Sequence, residues 1–326
     1  MHKLFLCSTL FFLSIAVKAQ DTYAEKLGFP KGKKVIILHV DDAGMSYDSN
    51  IGTQKAFGGV ANSTSVMMPC GWVAQFFDLY KKNPTWDVGV HLTLTSEWNH
   101  YRWAPLAGRG VVPGLLDEQG AFWHNVAQVT QHAKPEEVEA ECRAQIARFR
   151  QFGVEPTHID SHMGTLFQPK YIQTYTKVGI SEKIPVMFPA GHMALIGQGR
   201  SDAEKGLLRQ LGQQLWNAQL PVLDDLHADS YGWNLPKDVQ PTDENLRKMK
   251  TQKYIELIQS CQPGLTMIIM HCTDPTEVFQ YISDSAPTRK GDMLAMTDPA
   301  LKQFIEKEGI ILTTWREVKE RRAKLK

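Results

Sequence analysis

The sequence is poor in cysteine, and its few cysteines form no recognisable pattern. Five of the 326 residues are cysteine, and no two stand in a CxxC pair. This excludes a small disulfide-stapled domain and a zinc ribbon. A chain of this length can bury a large core, so its folding requires neither disulfides nor a structural metal. A disulfide is permitted but not demanded.

An excess of one charge is also missing. The chain has 36 Lys and Arg against 35 Asp and Glu, which gives a net charge of +1. No basic patch stands out, so nucleic acid is not an expected partner. The sequence has no repeat, no low-complexity segment and no composition shift typical of a linker. A single globular domain is the simpler interpretation, and the oligomeric state stays open.

The longest apolar run lies at the N-terminus. It extends from Leu4 to Val17 after the positive Lys3, and Val17-Lys18-Ala19 resembles a signal peptidase site. The run of about 14 residues is short for a membrane span, which needs about 20. We therefore predict a cleaved secretory signal over residues 1–19 and a mature domain over residues 20–326, periplasmic or extracellular and without a stable membrane anchor. An uncleaved anchor is the alternative.

Strand-like and helix-like segments alternate along the rest of the chain. Lys34 to Val40 is a β-branched apolar run typical of a buried parallel strand, and Ile184 to Phe188, Pro221 to Leu223 and Leu265 to Met270 are further strand candidates. Pro135 opens an amphipathic helix with an acidic first turn. The alternation predicts the α/β class, with a single TIM-like β/α barrel of about seven strands, regular or irregular. A doubly wound open sheet is the alternative.

Four polar clusters come at the ends of predicted strands. They are Asp41-Asp42, Gly89-Val90-His91, His158-Ile159-Asp160-Ser161-His162 and Met270-His271. Adjacent carboxylates repel each other unless a cation or a shared proton relieves them. An aspartate with histidines suits a borderline divalent cation such as zinc, although other metals stay open. Because strand ends meet at one face of a barrel, the clusters together predict a hydrolytic metal site.

Each cluster taken alone has a more ordinary explanation. Aspartates often form helix caps or turns, and a lone histidine such as His91 is more often a hydrogen-bonded core residue than a ligand. His158, Asp160 and His162 within five residues are harder to explain by packing. The coincidence of four clusters at four strand ends favours the site.

The same clusters give the sequence a family resemblance. The chain resembles the YdjC family, also called the ChbG/HpnK family of carbohydrate deacetylases. The residues from His39 to Gly44 correspond to that family's Asn-Ala-Asp-Asp-Phe-Gly segment, and Gly89 to Thr95 to its Gly-Leu-His-Leu-Asn-Leu-Thr segment. Thr157 to His162 is nearly identical to Thr-His-Leu-Asp-Ser-His, and Met270-His271 resembles the late Met-x-His-Pro segment.

The resemblance implies a TIM-like barrel that holds one divalent metal ion, zinc or magnesium. Metal-bound histidines usually need partners that orient them. Carried over by position, the implied roles are metal ligands for Asp42, His91 and His162, general base for Asp41, general acid for His271, and ligand-orienting partners for His158 and Asp160.

The chain departs from the family pattern around the expected substrate. Met163 and Gly164 follow the third segment where the family often has further histidines, Cys272 replaces the late proline, and Met267 stands where the family tends to have an acid. These changes leave the implied metal ligands in place. They put the usual chitooligosaccharide substrate in question more than the type of reaction.

A long irregular stretch from Thr93 to Asn125 is rich in aromatic residues. Long excursions of this kind are often binding loops. We predict that Trp98, Tyr101, Arg102 and Trp103 form a sugar-binding wall beside His91. Ordinary aromatic packing is the alternative.

The sequence thus predicts an exported, metal-dependent hydrolase. It would remove acetyl groups from an N- or O-acetylated oligo- or polysaccharide, with a water molecule activated by the metal, Asp41 as base and His271 as acid. A metal-dependent phosphoesterase is one alternative, but it would need a basic cradle or a second metal, and neither is evident. A glycan-binding protein without turnover is another, although a pure binder needs no proton-transfer group such as Asp41.

Overall fold

A parallel β-sheet forms the centre of the protein. The computed structural model describes residues 21–325, so the predicted signal segment 1–19 lies outside the described residues. The strands are β1 (Lys34–Ala43), β2 (Ser63–Val66), β3 (Val88–Leu92), β4 (Ile159–Ser161), β5 (Asp225–His227), β6 (Gly264–Met270) and β7 (Ile311–Leu312).

The sheet is organised around its longest strand, β1. The order is β4-β3-β2-β1-β6-β5, and every pairing is parallel. Along β6, β1 pairs from Lys34↔Gly264 to Val40↔Met270. On its other side, β1 pairs first with the short β7 and then with β2. Residues 35–43 of β1 are all buried, as the continuous apolar run predicts for a strand covered on both faces.

The two edges of the sheet are joined through residues 184–190. Bridges pair Ile159 of β4 with Val186, and Pro189 with Leu223 just before β5. The sheet therefore curls into an irregular TIM-like barrel, which confirms the predicted fold and excludes the doubly wound alternative. The predicted strand over 184–188 forms only these isolated bridges, and the strand predicted over 221–223 is displaced to β5.

Helices follow the strands and cover the outside of the sheet. They are α1 (Tyr23–Lys26), α2 (Tyr47–Phe57), α3 (Val73–Lys82), α4 (Val126–His132), α5 (Pro135–Arg150), α6 (Ile172–Glu182), α7 (Asp202–Asn217), α8 (Asp243–Ser260), α9 (Ala286–Met296), α10 (Pro299–Lys307) and α11 (Trp315–Lys324). Short 3₁₀ turns lie between them, including one at residues 162–167 directly after β4. Within the described residues, no helix has the length and apolar character needed to cross a membrane.

Helix α5 shows how the sequence pattern sets the packing. It begins at Pro135, with Glu136 and Glu137 in the first turn, where carboxylates favour the positive end of the helix dipole. Val138 and Phe149 lie on its buried stripe. Cys142 is on the same stripe, and it is a free thiol like the other described cysteines, Cys70, Cys261 and Cys272, which are also buried.

Candidate metal centre and substrate cavity

The barrel brings the four polar clusters to one rim. Asp41 and Asp42 are near the carboxyl end of β1, and His271 directly follows Met270, which pairs with Val40. His91 pairs with Asp160 in the register of β3 and β4. Because all these strands are parallel, their carboxyl ends meet, and the convergence predicted from the sequence is present.

Three side chains form a tight buried triangle. The Oδ1 atom of Asp42 is 3.3 Å from Nε2 of His91 and 3.3 Å from Nδ1 of His162. The two histidine nitrogens are 3.2 Å apart. The three residues are at most 4% exposed, and Oδ1 of Asp42 has no hydrogen-bond partner among the described residues. These are the three ligands that the family resemblance implies.

The hydrogen bonds behind the triangle assign the histidine tautomers. Nδ1 of His91 is 2.7 Å from Oδ1 of Asp160, and Nε2 of His162 is 3.1 Å from Oε1 of Glu97. We assign the protons of the neutral rings to these two nitrogens. The inner nitrogens of both rings then present lone pairs towards the Asp42 carboxylate. Three electron-pair donors that face one another at this separation fit a bound cation.

The charges around the triangle favour an ionised Asp42 and a protonated His162. Burial alone would raise the pKa of Asp42, but Arg289, with its Nη1 2.7 Å from Oδ2, and the two histidines hold it well below its usual range. Burial would lower the pKa of His162, but Glu97 and Asp42 raise it to about 9. Protons and a cation therefore compete for the same nitrogens, so cation binding would release protons.

Asp41 lies beside the triangle rather than in it. Its Oδ2 atom is 3.9 Å from Nε2 of His91 and 3.9 Å from Nε2 of His271, so it stands between the candidate ligands and the candidate acid. Its Oδ1 atom is 3.1 Å from Nε2 of His39. The same nitrogen of His39 is 2.9 Å from Oδ2 of Asp160. One buried imidazole thus connects the candidate base with the carboxylate that orients His91.

His39 is charged in this arrangement. Burial would lower its pKa, but Asp160 and Asp41 together raise it to about 9. Two other groups, His39-His158-Asp160 and Asp41-His91-Asp160, also have ligand atoms close to one another. In both groups imidazole and carboxylate already pair directly, so neither needs a cation as the triangle does.

His271 is fixed through its backbone, and its mostly buried ring borders the cavity. Its N–H donates to Oδ2 of Asp292 at 3.1 Å, and Asp292 in turn pairs with Nζ of Lys250 at 2.8 Å and with the hydroxyl of Tyr254 at 2.7 Å. The ring lies edge-on to Tyr231, with 5.2 Å between centroids, and borders the cavity. Burial lowers its pKa, so its protonated form is a stronger acid than an exposed imidazolium.

The two predicted orienting residues have different positions. Asp160 contacts the candidate ligand His91 directly. His158 stacks on Trp315, and its Nδ1 atom is 2.9 Å from the hydroxyl of Thr157. Its Nε2 atom is 3.8 Å from Asp160, beyond hydrogen-bond range. His158 therefore packs behind Asp160, and no described hydrogen bond joins its side chain to Asp42, His91 or His162, so its orienting role stays a prediction.

A cavity of about 720 Å³ opens from the triangle. At its metal end it is bordered by Trp98 and Tyr231, whose rings flank the Arg289 guanidinium at 5.7 and 5.3 Å. Its far wall is mainly apolar and comes from the segment after β4, from residues 187–196 and from α7. We call this wall the apolar chamber, and its main residues are Phe167, Ile172, Met187, Ile196, Leu207 and Leu208.

Three of the four residues of the predicted sugar-binding wall make contacts away from the cavity. Of its four residues, Trp98 lines the cavity. Arg102 pairs with Asp117 at 2.7 Å, and the Tyr101 hydroxyl donates to the carbonyl of Met45. The other three residues of the wall are therefore corrected to loop-stabilising residues.

Trp103 shows the reason for this correction most clearly. It is 4% exposed, and its Nε1–H donates to the carbonyl of Thr95 at 2.8 Å. A buried tryptophan needs a partner for its N–H, and the loop backbone supplies one. The aromatic composition of the loop therefore reflects internal packing more than ligand contact.

Sequence reasoning did not assign three residues of the site. His39 had a signal, because it lies two residues before Asp41 and side chains on a strand share a face at that spacing. Glu97 lies in the irregular stretch and has no motif around it. Arg289 lies on α9, which was not predicted, and is 247 residues from the carboxylate that it binds. Only the folded chain connects the last two residues to the site.

Comparison with known families agrees with the fold and the polar motifs. The family model described as YdjC-like protein matches residues 35–307. The chain belongs to this family. It is 31% identical over 296 residues to a carbohydrate deacetylase of Thermus thermophilus, covering 91% of this chain and 97% of the relative. It is 26% identical over 290 residues to a chitooligosaccharide deacetylase of Yersinia enterocolitica, covering 87% and 98%.

A solved structure supports the fold in the same way. A protein from Enterococcus faecalis V583, described as a candidate cellobiose-phosphate cleavage protein, superposes with a TM-score of 0.70 at 24% identity. The match covers 88% of this chain and 99% of that protein. At this identity the likeness establishes the shared barrel.

Proposed function

We propose that this protein is a metal-dependent hydrolase that removes acetyl groups from an N- or O-acetylated carbohydrate. The observation that carries the proposal is the buried triangle of Asp42, His91 and His162, whose three candidate ligand atoms lie within 3.3 Å of one another beside a cavity. The names of the relatives, carbohydrate and chitooligosaccharide deacetylases, support the reaction and the substrate class.

Zinc fits the triangle better than magnesium. Four ligands around zinc with bonds of about 2.0–2.1 Å are separated by about 3.3–3.4 Å, whereas neighbouring ligands of octahedral magnesium are about 2.9 Å apart. The separations in the triangle are 3.2–3.3 Å. Two imidazoles also suit zinc, while magnesium prefers oxygen ligands.

The chain's own residues would carry the proton transfers. A divalent cation at the triangle supplies a Lewis acid that polarises the acyl carbonyl and acidifies the attacking water. Asp41 accepts a proton from that water as its oxygen bonds to the carbonyl carbon. His271 gives a proton to the leaving nitrogen or oxygen as the carbon–nitrogen or carbon–oxygen bond breaks. The products are acetate and the free amine or hydroxyl.

The acetylated sugar would lie beside Trp98 and Tyr231. Both rings border the metal end of the cavity, and aromatic faces suit the apolar faces of sugar rings. Arg289 is held between these rings and pairs with Asp42. Because this guanidinium already serves a carboxylate, it is not a free cradle for phosphate, which weighs against the phosphoesterase alternative.

Acetate release is the experiment that tests the proposal. The purified protein would be loaded with zinc or magnesium and incubated with a panel of N- and O-acetylated saccharides, with and without chelator. We expect release that the chelator abolishes and that zinc restores better than magnesium. Phosphate release from phosphorylated sugars would support the phosphoesterase instead. Binding of saccharides without any product would support a glycan-binding protein.

We also propose that the protein is exported. The proposal depends on the sequence of residues 1–19, which lie outside the described residues. N-terminal sequencing of the protein purified from the producing cell would test it. A mature chain that begins at Gln20 in the exported fraction is the expected result, and an intact N-terminus in the cytoplasm would contradict it.

A further inference from the structure

The cavity is much larger than its metal end, and its far wall has a different chemistry. We infer that the substrate carries an apolar chain on the acetylated sugar and that the apolar chamber binds this chain. The inference rests on the proposed function and specifies its substrate class further. It depends on how the chamber is lined, and on its continuity with the metal centre.

The apolar side chains of the chamber come from three parts of the barrel. Phe167 and Ile172 come from the segment after β4, Met187 from the closing segment 184–190, and Leu207 and Leu208 from α7. All of these side chains border the same cavity as Asp42 and His271. A molecule held at the metal end can therefore extend into the chamber without leaving the cavity.

Saccharide hydroxyls would find few partners in the chamber. Of the described residues that line this part of the cavity, the long polar side chains are Gln168, Arg200 and Glu204. Nε of Arg200 donates to the carbonyl of Ile196 at 3.0 Å, and the Glu204 carboxylate accepts the N–H of Ser201 at 2.8 Å. A second sugar ring would leave several hydroxyls unpaired against apolar atoms, which is unfavourable.

The chamber mouth also exposes apolar side chains to solvent. Leu207 is 39% exposed and Met163 is 51% exposed, and both line the cavity. Large apolar side chains exposed together at the edge of a cavity often mark a binding site. An apolar chain that passes over them would remove their surface from water. The volume of about 720 Å³ accommodates a sugar together with such a chain.

Two parts of a substrate could supply the chain. It could be the aglycone of a glycoside, or it could belong to the acyl group that is removed. Two series of N-acetylglucosamine derivatives separate these sources. The first series keeps the acetyl group and lengthens the β-aglycone from methyl to butyl and hexyl. The second keeps the methyl glycoside and lengthens the N-acyl group from acetyl to butanoyl and hexanoyl.

We expect kcat/KM for the zinc-loaded enzyme to rise at least about tenfold from the shortest to the longest member of one series. Full burial would give about fourfold per methylene, so a tenfold rise requires only part of the chain to be buried. A rise in the first series assigns the chain to the aglycone, and a rise in the second assigns it to the acyl group. Flat or falling values in both series, or a preference for diacetylchitobiose over every long-chain compound, would overturn the inference.

A pair of leucine variants locates the effect in the chamber. Leu207→Gln should reduce the ratio of long-chain to short-chain kcat/KM at least about threefold. Leu106 is equally exposed, at 38%, but does not line the cavity, so Leu106→Gln should leave the ratio unchanged. If Leu207→Gln fails to fold, the two substrate series measured with the wild-type enzyme still test the inference. An unchanged ratio in folded Leu207→Gln would contradict the assignment to this wall.

Calorimetry separates failure of the inference from failure of the proposed function. Titration of hexyl N-acetylglucosaminide into the protein should show a negative heat-capacity change on binding, the mark of apolar burial. If no compound releases acid, the proposed function is wrong. The titration would then still test whether the chamber binds an apolar chain. Absence of binding would reject this inference.

Discussion

The two ends of the cavity are built from opposite kinds of residue. At the metal end, buried carboxylates, imidazoles and one guanidinium pair with each other, while Oδ1 of Asp42 has no hydrogen-bond partner among the described residues. In the apolar chamber, leucine, isoleucine, methionine and phenylalanine dominate, and the long polar side chains of the described lining are Gln168, Arg200 and Glu204. We interpret this difference as a division of roles, in which the polar end would carry out the reaction and the apolar chamber would select the substrate.

The neighbouring aspartates give the largest expected effect at the metal end. Asp42→Asn should lose both the metal and the activity, because it removes the charge at the centre of the triangle. Asp41→Asn should keep the metal but reduce kcat at least about a hundredfold, because it removes the candidate base. Metal content after gel filtration and acetate release check the pair.

The opposite outcome for these variants would invert the assignment. If Asp41→Asn lost the metal while Asp42→Asn kept it, Asp41 would be the ligand. The candidate metal ligands would then be Asp41, His91 and Asp160.

A substitution at Glu97 tests whether a residue of the irregular loop supports metal binding by His162. Glu97→Gln should weaken metal binding about tenfold to a hundredfold, because a carboxylate partner fixes the tautomer and orientation of a ligand histidine. Affinity would be measured by competition with a chelator. Glu118 is exposed on the same loop, so Glu118→Gln should bind the metal as the wild type does. If Glu97→Gln and Glu118→Gln bound the metal equally well, metal binding would depend only on residues of the four strand-end clusters.

His39 makes the stability of the metal-free protein depend on pH. Its pKa is about 9 in the folded protein against an ordinary value of 6.5. Its stabilising contribution is therefore complete below about pH 6.5 and is lost as the pH rises through about 9. His39→Asn should remove this loss and change the slope of the unfolding free energy by up to about 1.4 kcal/mol per pH unit in that window.

Urea unfolding of the metal-free proteins at several pH values measures this slope. His91 and His162 are present in both proteins, so the difference between the two slopes reports the effect of removing His39. Equal slopes for wild type and His39→Asn would show that His39 is not charged between Asp41 and Asp160.

Trp98 gives the smallest effect, at the border between the two ends. Trp98→Ala should raise KM about twofold to tenfold with little change in kcat, because it removes a stacking face for the sugar but no reacting group. Trp72 is 42% exposed and does not line the cavity, so Trp72→Ala is the matched control. Steady-state kinetics on a short-chain substrate decide the matter. A fall in kcat alone would place Trp98 among the groups that act on the reacting atoms.

The metal end was largely predictable from the sequence, for a physical reason. Polar residues placed directly after apolar strands are conspicuous, and a parallel barrel brings strand ends together whatever the lengths of the connections. Asp42, His91 and His162 could therefore be grouped before their distances were known. Arg289 could not, because α9 has no strong periodicity and nothing in its sequence indicates a partner on β1.

The apolar chamber could not be predicted at all. Leu208 and Ile172 look like ordinary core residues, and the sequence does not say whether an apolar side chain faces the core or a cavity. The opposite error occurred in the aromatic loop, where Trp103 and Tyr101 suggested a ligand, but Trp103 donates to the loop backbone and Tyr101 donates to the carbonyl of Met45. Composition shows that a segment is apolar or aromatic, but the direction of each side chain depends on tertiary packing.

The segment that closes the barrel should tolerate changes in sequence better than the central strands. Residues 184–190 join the two sheet edges through isolated bridges, whereas β1 and β6 pair along seven successive residues. The side of the barrel with the looser joint is the side that supplies Met187 and leads into α7. Insertions or substitutions there would disturb few ladder hydrogen bonds and leave the rigid half intact. A protein engineer could therefore exchange this segment to accept new substrates while retaining the same reaction.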